Sequence, residues 1–221
     1  MGLTYAPATG IVPYGIHWGD KQYRDVAGHL LTENVEEAKQ LMIDAGYPNG
    51  EGFPTLRMIT QNNQEDIDTA QALQAMWKEN LGIETQITTY ESAVYWDVFD
   101  TDDWDIGRDG WTGDYDDPTT NTFLWEAYRE VNPDGTLKDA RWYNLPNSIK
   151  YDETMKKTYS ELDYETRMNL FVEAEKTLLE DMPVIPLFFY DDSMLCKPEV
   201  TGVLKSYIGH VFFQYADVNV G

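Results

Sequence analysis

Apolar side chains recur every three or four residues in three long stretches of the chain, which is the spacing of one buried helix face. The first stretch follows Asn34, which has Glu37 at the spacing of a capping box, and it ends before Gly46. The second ends before Gly82, and the third begins at Asp163. The pattern predicts amphipathic helices over residues 35–45, 64–81 and 163–182.

Three shorter segments alternate polar and apolar residues or are rich in isoleucine and threonine, as β-strands are. They cover residues 55–60, 83–90 and 104–108, and a short helix is predicted over 91–99, between the last two. Strands and helices thus alternate, which implies right-handed crossovers and a sheet that is at least partly parallel. The fold class predicted from the residues is α/β.

The two ends of the chain give weaker patterns. Residues 1–31 contain a proline or glycine every few positions, so we expect an irregular arm or the remnant of a connection to another part. Residues 184–190 are apolar and predict a buried strand, and residues 200–220 predict strand fragments. Helices are predicted over 119–128 and 151–159.

A loop rich in glycine, tryptophan and aspartate follows the third predicted strand and extends to residue 118. Asp117 precedes Pro118, and aspartate before proline is a favourable helix start, so Asp117 has a structural role. Arg108 and Asp114 have no role that local structure explains. Because open α/β sheets bind ligands in loops at strand ends, we interpret this central loop, residues 104–118, as the binding segment.

Charge and composition narrow the possible partners. The 221 residues have a formal net charge of −23 at pH 7, which repels phosphate backbones, so nucleic acid is not an expected partner. Cys196 is the only cysteine, so the chain can form neither an intramolecular disulfide nor a thiolate metal cluster. The histidines lack metal-binding spacing, and no cofactor motif is found. No apolar run reaches membrane-spanning length, and the first residues lack a signal-peptide pattern.

The aspartates of the central loop suggest two other chemistries. A calcium-binding EF-hand loop starting at Asp114 needs glycine at its sixth position and glutamate at its twelfth, where the sequence has Thr119 and Trp125. That motif is excluded. A pair of carboxylates, Asp114 with Asp103 or Glu126, could instead hydrolyse a glycosidic bond, with tryptophans stacking on the sugar. From the residues alone, this glycoside hydrolase alternative stays open.

Five segments of the chain, taken in order, carry a family resemblance. They are NVEEAKQLMIDAGYPNGEG (34–52), MWKENLG (76–82), DIGRDGWTGDYDDP (105–118), RMNLFVEAEKTLLEDMPVIP (167–186) and KP (197–198). Together they closely resemble the C-terminal half of the extracellular solute-binding proteins of peptide ABC transporters, the oligopeptide-binding type of family 5. The resemblance covers most of the chain from about residue 8. It implies a periplasmic-binding-protein-like lobe, with a mixed, mostly parallel sheet flanked by helices, and no catalytic activity.

The resemblance also implies a domain arrangement and partners. Members of the family are two-lobed proteins that close on a peptide. Residues 32–199 would form one ligand-binding α/β lobe, residues 1–31 would be a crossover remnant, and residues 200–221 would return to the other lobe. The N-terminal lobe, signal peptide and lipid-anchoring cysteine would be missing here. The implied partners are a peptide, that missing lobe and the permease subunits, at the extracellular or periplasmic face of the membrane.

Four residues are assigned to the site by the resemblance. The aspartate that follows the Gly-Trp-x-x sequence, here Asp114, captures the α-ammonium group of a peptide. The arginine three residues before the tryptophan, here Arg108, can meet the carboxylate of a short peptide, and Trp111 and Thr112 line the same cleft. The sequence departs from the family at residues 64–66, where some members have a histidine. Related proteins that bind nickel, haem or oligosaccharides share the fold, so these ligands are alternatives.

Overall fold

The computed structural model describes residues 5–101, 103–126, 145–191 and 193–219, which form helices and short strands. The helices are α1 (Tyr23–Ala27), α2 (Val35–Asp44), α3 (Gln64–Leu81), α4 (Ser92–Phe99), α5 (Thr119–Thr122), α6 (Ser148–Thr158) and α7 (Tyr164–Asp181). The strands are β1 (Ala6–Pro7), β2 (His17–Trp18), β3 (Lys21–Gln22), β4 (Leu56–Gln61), β5 (Thr85–Tyr90), β6 (Ile106–Gly107), β7 (Phe188–Phe189), β8 (Val200–Thr201), β9 (Leu204–Lys205), β10 (Val211–Phe212) and β11 (Asp217–Val218). Short 3-10 helices cover Pro48–Gly50 and Phe123–Trp125.

The chain divides into two compact units. Unit 1 comprises residues 1–32 and 112–221, and unit 2 comprises residues 33–111. Unit 1 thus groups residues from the N-terminal segment with residues after the central strands. The division into a crossover remnant, a lobe over residues 32–199 and a returning tail stays a prediction.

Unit 2 is built around a parallel sheet with the strand order β5-β4-β6. The central strand β4 pairs in parallel with both neighbours, so the helices α3 and α4 lie in crossover connections. Met58 and Ile59 of β4, Ala70 of α3 and Tyr95 of α4 are buried in this unit. The predicted alternation of strands and helices and the parallel sheet are confirmed, although β6 is shorter than the predicted strand.

Capping residues determine where α2 and α3 begin and where α3 ends. The side chain of Asn34 accepts the N–H of Glu37 at 3.1 Å, and the side chain of Asn63 accepts the N–H of Asp66 at 3.0 Å. Gly82 follows α3 in the left-handed region, with φ of 72°, which glycine adopts without strain. Both helices were therefore predicted to within one residue at each end.

The apolar side of α2 is less buried than its pattern predicts. No residue of this helix is buried, and Leu41 and Ile43 are 62% and 50% exposed. The apolar spacing thus predicted the helix α2 correctly, but the apolar face of α2 is not buried among the described residues.

Unit 1 has its own core, formed where α6 and α7 pack together with the N-terminal segment. The core residues from α6 and α7 are Tyr151, Met155, Met168, Phe171, Ala174 and Leu178. The N-terminal segment adds Val12, Ile16, Trp18 and Tyr23, all of them buried. Residues 1–31 were predicted to be irregular; among those described, short strands and α1 form, and the segment belongs to the core.

The predicted buried strand over 184–190 is largely wrong. Only Phe188–Phe189 forms a strand, β7, which pairs antiparallel with β1, and Ile185 is exposed. Pro186 has no N–H to donate to a strand ladder, which limits pairing in this stretch.

The remaining predicted elements agree in part. The helix predicted over 119–128 is α5 followed by a 3-10 turn that ends at Trp125, and residues 127 and 128 lie outside the described residues. The helix predicted over 151–159 begins three residues earlier, at Ser148. The C-terminal residues form two antiparallel strand pairs, β8 with β11 and β9 with β10, as the predicted strand fragments suggest.

Candidate functional site

The central loop, residues 104–118, contains β6 and leaves the parallel sheet of unit 2 at the carboxyl end of that strand. The N–H of Arg108, one residue beyond β6, donates to the carbonyl oxygen of Ile59 in β4 at 3.2 Å. Just before β6, the carboxylate of Asp105 accepts the N–H of Arg57 at 2.7 Å. These bonds hold both ends of β6 against the sheet, so the sheet fixes the point at which the chain leaves β6.

The side chain of Arg108 is held by acidic residues at the start of α3. Its Nη1 lies 2.5 Å from Oδ1 of Asp66, and its Nη2 lies 3.6 Å from Oε1 of Glu65. Arg108 and Asp66 are nearly sealed from solvent, with side chains 11% and 6% exposed. The guanidinium charge is therefore compensated inside the protein.

Asp66 is fixed in place by Asn63, the N-cap residue of α3. The carboxylate of Asp66 accepts a hydrogen bond from Nδ2 of Asn63 at 2.9 Å, in addition to the reciprocal bond from its own N–H. A carboxylate in the first turn of a helix also interacts favourably with the helix dipole. The sequence analysis missed this partner of Arg108, although the cap at Asn63 marks Asp66 as a first-turn acid.

Two further groups surround the backbone of Arg108. The hydroxyl of Tyr95 in α4 donates to the carbonyl oxygen of Arg108 at 2.5 Å. Partial desolvation raises the pKa of the Asp109 carboxyl, and the N–H of Gly110 and the charge of Arg108 offset only part of that rise. The surroundings of Arg108 thus include several acids.

Trp111 and Thr112 are both exposed, and Trp111 is 44% exposed as a whole residue. Arg108 and Trp111 lie in unit 2, whereas Thr112 and Asp114 lie in unit 1. Surface exposure of a large aromatic ring is compatible with ligand stacking. The assignment of these residues to a ligand site remains a prediction.

Asp114 has an anchored backbone and an exposed side chain. Its N–H donates to Oγ1 of Thr120 at 2.8 Å, and Gly113 before it is buried. A Cβ atom at Gly113 would lie 3.0 Å from Cγ2 of Thr120, so a small residue suits this approach to α5. Among the described residues, no hydrogen bond or ion pair involves the carboxylate of Asp114.

The two neighbouring aspartates, by contrast, have structural partners. Asp116 accepts the N–H of His17 and pairs with its Nδ1, both at 2.7 Å. Asp117 forms a two-point ion pair with Arg167 of α7, at 2.6 and 3.0 Å, and accepts the N–H of Thr119 at 2.9 Å. The structural role predicted for Asp117 agrees with these bonds, whereas no local pattern marks His17 or Arg167 as partners.

The ion pair with Arg167 changes the acidity of Asp117. Desolvation opposes ionisation of this carboxyl, but the hydrogen bonds from Arg167 and Thr119 outweigh it and hold its pKa below the ordinary value. These interactions therefore favour the ionised form of Asp117, which pairs with Arg167.

The acids proposed as glycosidase partners of Asp114 are also engaged. Asp103 forms an ion pair with Arg57 at 2.5 Å, and Glu126 is buried and accepts the hydroxyl of Tyr159 at 2.9 Å. No observation favours the hydrolase alternative.

Two other features bear on the class of site. Among the residues that the structure describes, no three His, Cys, Asp or Glu side chains are grouped so as to hold a metal ion. None of the helices within the described ranges combines the length and the apolar character needed to cross a membrane.

Comparison with known proteins identifies the family. The family described as bacterial extracellular solute-binding proteins, family 5 Middle, matches residues 1–132. The chain belongs to this family. The match includes the whole central loop and the residues of α3 that hold Arg108.

Curated members of family 5 resemble nearly the whole chain. The oligopeptide-binding protein OppA of Bacillus subtilis is 30% identical over 193 residues, which is 86% of this chain and 34% of OppA. The dipeptide-binding protein DppE of the same organism is 29% identical over 220 residues, which is 96% of this chain and 38% of DppE. The chain thus spans about a third of the length of these relatives.

A solved structure agrees with the family assignment. The periplasmic oligopeptide-binding protein OppAIV from Borrelia burgdorferi superposes with a TM-score of 0.66 at 29% identity, over 81% of this chain and 33% of that one. The fold is therefore α/β and periplasmic-binding-protein-like, as the resemblance predicted.

Proposed function

We propose that this chain is the ligand-binding part of the solute-binding component of a peptide ABC importer, and that it has no catalytic role. Family membership supports this proposal, together with the names of two relatives, one oligopeptide-binding and one dipeptide-binding. The ligand would be a short peptide held by its main chain and its amino terminus, a mode that tolerates many side chains.

The observation that carries the proposal is the state of Asp114. It is exposed, and it differs from Asp116 and Asp117 in having no hydrogen bond or ion pair at its carboxylate among the described residues. The backbone of Asp114 is nevertheless held by Thr120. An anchored loop that presents an uncompensated carboxylate can bind a cation without first breaking an internal bond.

The cation that fits this role is the α-ammonium group of a peptide. An ammonium and a carboxylate form a charge-assisted hydrogen bond, which contributes roughly 1.5 to 3 kcal/mol when shielded from water. The same pair contributes about 0 to 1 kcal/mol when open to solvent. Trp111, with its exposed indole, is proposed to help exclude water from the bound peptide.

The rest of the transport cycle is proposed by analogy with the family. A second lobe would close over the peptide by hinge motion, and the closed protein would deliver it to permease subunits in the membrane. The protein would work at the extracellular or periplasmic face, held there by a lipid anchor.

The test compares a free tripeptide with its N-acetylated form, in the intact gene product that carries this chain. Asp114→Ala is expected to weaken binding of the free tripeptide by about tenfold or more, while binding of the acetylated form changes little. Isothermal titration calorimetry measures both constants.

The matched control is Asp116→Asn, two residues after Asp114. It also removes one negative charge, but from a carboxylate that already pairs with His17. It is expected to leave the ratio of the two affinities unchanged. Equal losses for both peptide forms in Asp114→Ala would remove Asp114 from the amine-binding role. If haem, nickel or an oligosaccharide bound in place of any peptide, the ligand class itself would be wrong.

A further inference from the structure

The position at Arg108 that the family resemblance gives to a ligand carboxylate already contains a carboxylate of the protein. Oδ1 of Asp66 lies 2.5 Å from Nη1 of Arg108, a charge-assisted contact with both side chains largely shielded from water. A peptide carboxylate that approached Arg108 would have to compete with this internal partner.

Asp66 is not a side chain that a ligand can readily push aside. It sits in the first turn of an 18-residue helix, its N–H is capped by Asn63, and its second carboxylate oxygen accepts a bond from the Asn63 amide. Displacing Asp66 would leave a nearly buried carboxylate without its cation, which is strongly unfavourable.

The local charge also opposes a second carboxylate. Glu65 lies 3.6 Å from the Arg108 guanidinium, and Asp109 follows Arg108 in the chain. Among the described residues, the Arg108 guanidinium therefore has Asp66, Glu65 and Asp109 as acidic neighbours, so an incoming carboxylate meets like charge at close range.

We propose that Asp66 is a specificity-determining residue: its carboxylate takes the place of the ligand's at Arg108, so that this protein binds peptides without recognising their carboxyl terminus there. The inference rests on the proposed function and narrows its substrate class. The class is peptides with a free amino terminus, whether the carboxyl end is a free acid, an amide or extended by further residues.

The test measures trialanine as the free acid and as the C-terminal amide, by calorimetry on the intact gene product. The wild-type protein is expected to bind the two forms with dissociation constants within about threefold of each other, because neither form pairs with Arg108. Asp66→Asn removes the carboxylate charge 2.5 Å from Arg108 and is expected to raise the preference for the acid by about tenfold.

Asp68→Asn is the matched control, since it removes one negative charge from the same helix at an exposed position. It is expected to leave the ratio of acid to amide unchanged. A change in Asp68→Asn equal to that in Asp66→Asn would make the effect one of general charge and would overturn the assignment.

The wild-type ratio alone can also overturn the inference, so the test does not depend on whether Asp66→Asn folds. A wild-type preference of about tenfold or more for the free acid would show that a ligand carboxylate is recognised, and the inference would fail while peptide binding stood. If neither form of trialanine, nor longer peptides, bound the wild-type protein, the proposed function would fail and this inference with it.

Discussion

The carboxylate of Glu175 and the guanidinium of Arg24 form an ion pair at 2.5 Å in which neither side chain is exposed to solvent. Glu175, in α7, also accepts the backbone N–H groups of Ile11 and Val12, at 2.5 and 3.0 Å. Arg24 in turn donates to the carbonyl oxygen of Val12 at 3.1 Å. One buried acid therefore ties the N-terminal segment and α1 to the longest helix of unit 1.

We predict that Glu175→Gln strongly destabilises the chain. The substitution leaves the Arg24 charge buried without its counter-ion, a change that typically costs about 3 to 5 kcal/mol. Chemical denaturation followed by far-UV circular dichroism measures the loss. Glu173→Gln, at an exposed position two residues earlier on α7, is the control and should change stability by about 0.5 kcal/mol or less. Similar midpoints for the two variants would contradict a structural role for the pair.

The pair between Asp117 and Arg167 predicts how stability depends on pH. Because the folded state holds the pKa of Asp117 below its ordinary value, the pair stabilises the fold above that ordinary value, about 4. The stabilisation is lost as the pH falls through the lowered, folded-state pKa. Melting temperatures of the wild type should therefore decline more steeply below about pH 4 than those of Asp117→Asn.

Asp68→Asn again serves as the control, since Asp68 is exposed. Its melting curve should keep the acid dependence of the wild type. Parallel pH profiles for Asp117→Asn and the wild type would show that the ion pair with Arg167 does not carry this dependence.

The elements that sequence analysis located best are those with local stop and start signals. Asn34 and Asn63 cap α2 and α3 with their own side chains, and Gly82 ends α3 in a conformation that suits glycine. Each signal lies within a few residues of the boundary it sets. Such boundaries can be predicted without knowledge of the fold.

What sequence analysis missed depends on contacts between distant residues. The segment around Val12 and Ile16 has no periodic pattern, yet it is buried because α6 and α7 supply the other side of its core. Asp66 was known to lie at a helix start, but its pairing with Arg108, 42 positions later in the sequence, follows from the parallel register of β4 and β6. Local chemistry predicted the binding loop; only the fold shows which of its charges are already paired.

The fraction of its relatives' length that the chain covers predicts how tightly the isolated 221-residue chain binds a peptide. It spans 34% of OppA and 38% of DppE, so by the proposed function a peptide bound to it alone would keep one side open to water. In that setting the bond between Asp114 and an ammonium group weakens from roughly 1.5–3 to about 0–1 kcal/mol. The 221-residue chain is therefore expected to bind peptides with a dissociation constant of about 1 mM or weaker. A sub-micromolar dissociation constant measured by calorimetry would contradict this prediction, because the 221 residues would then suffice to enclose the ligand.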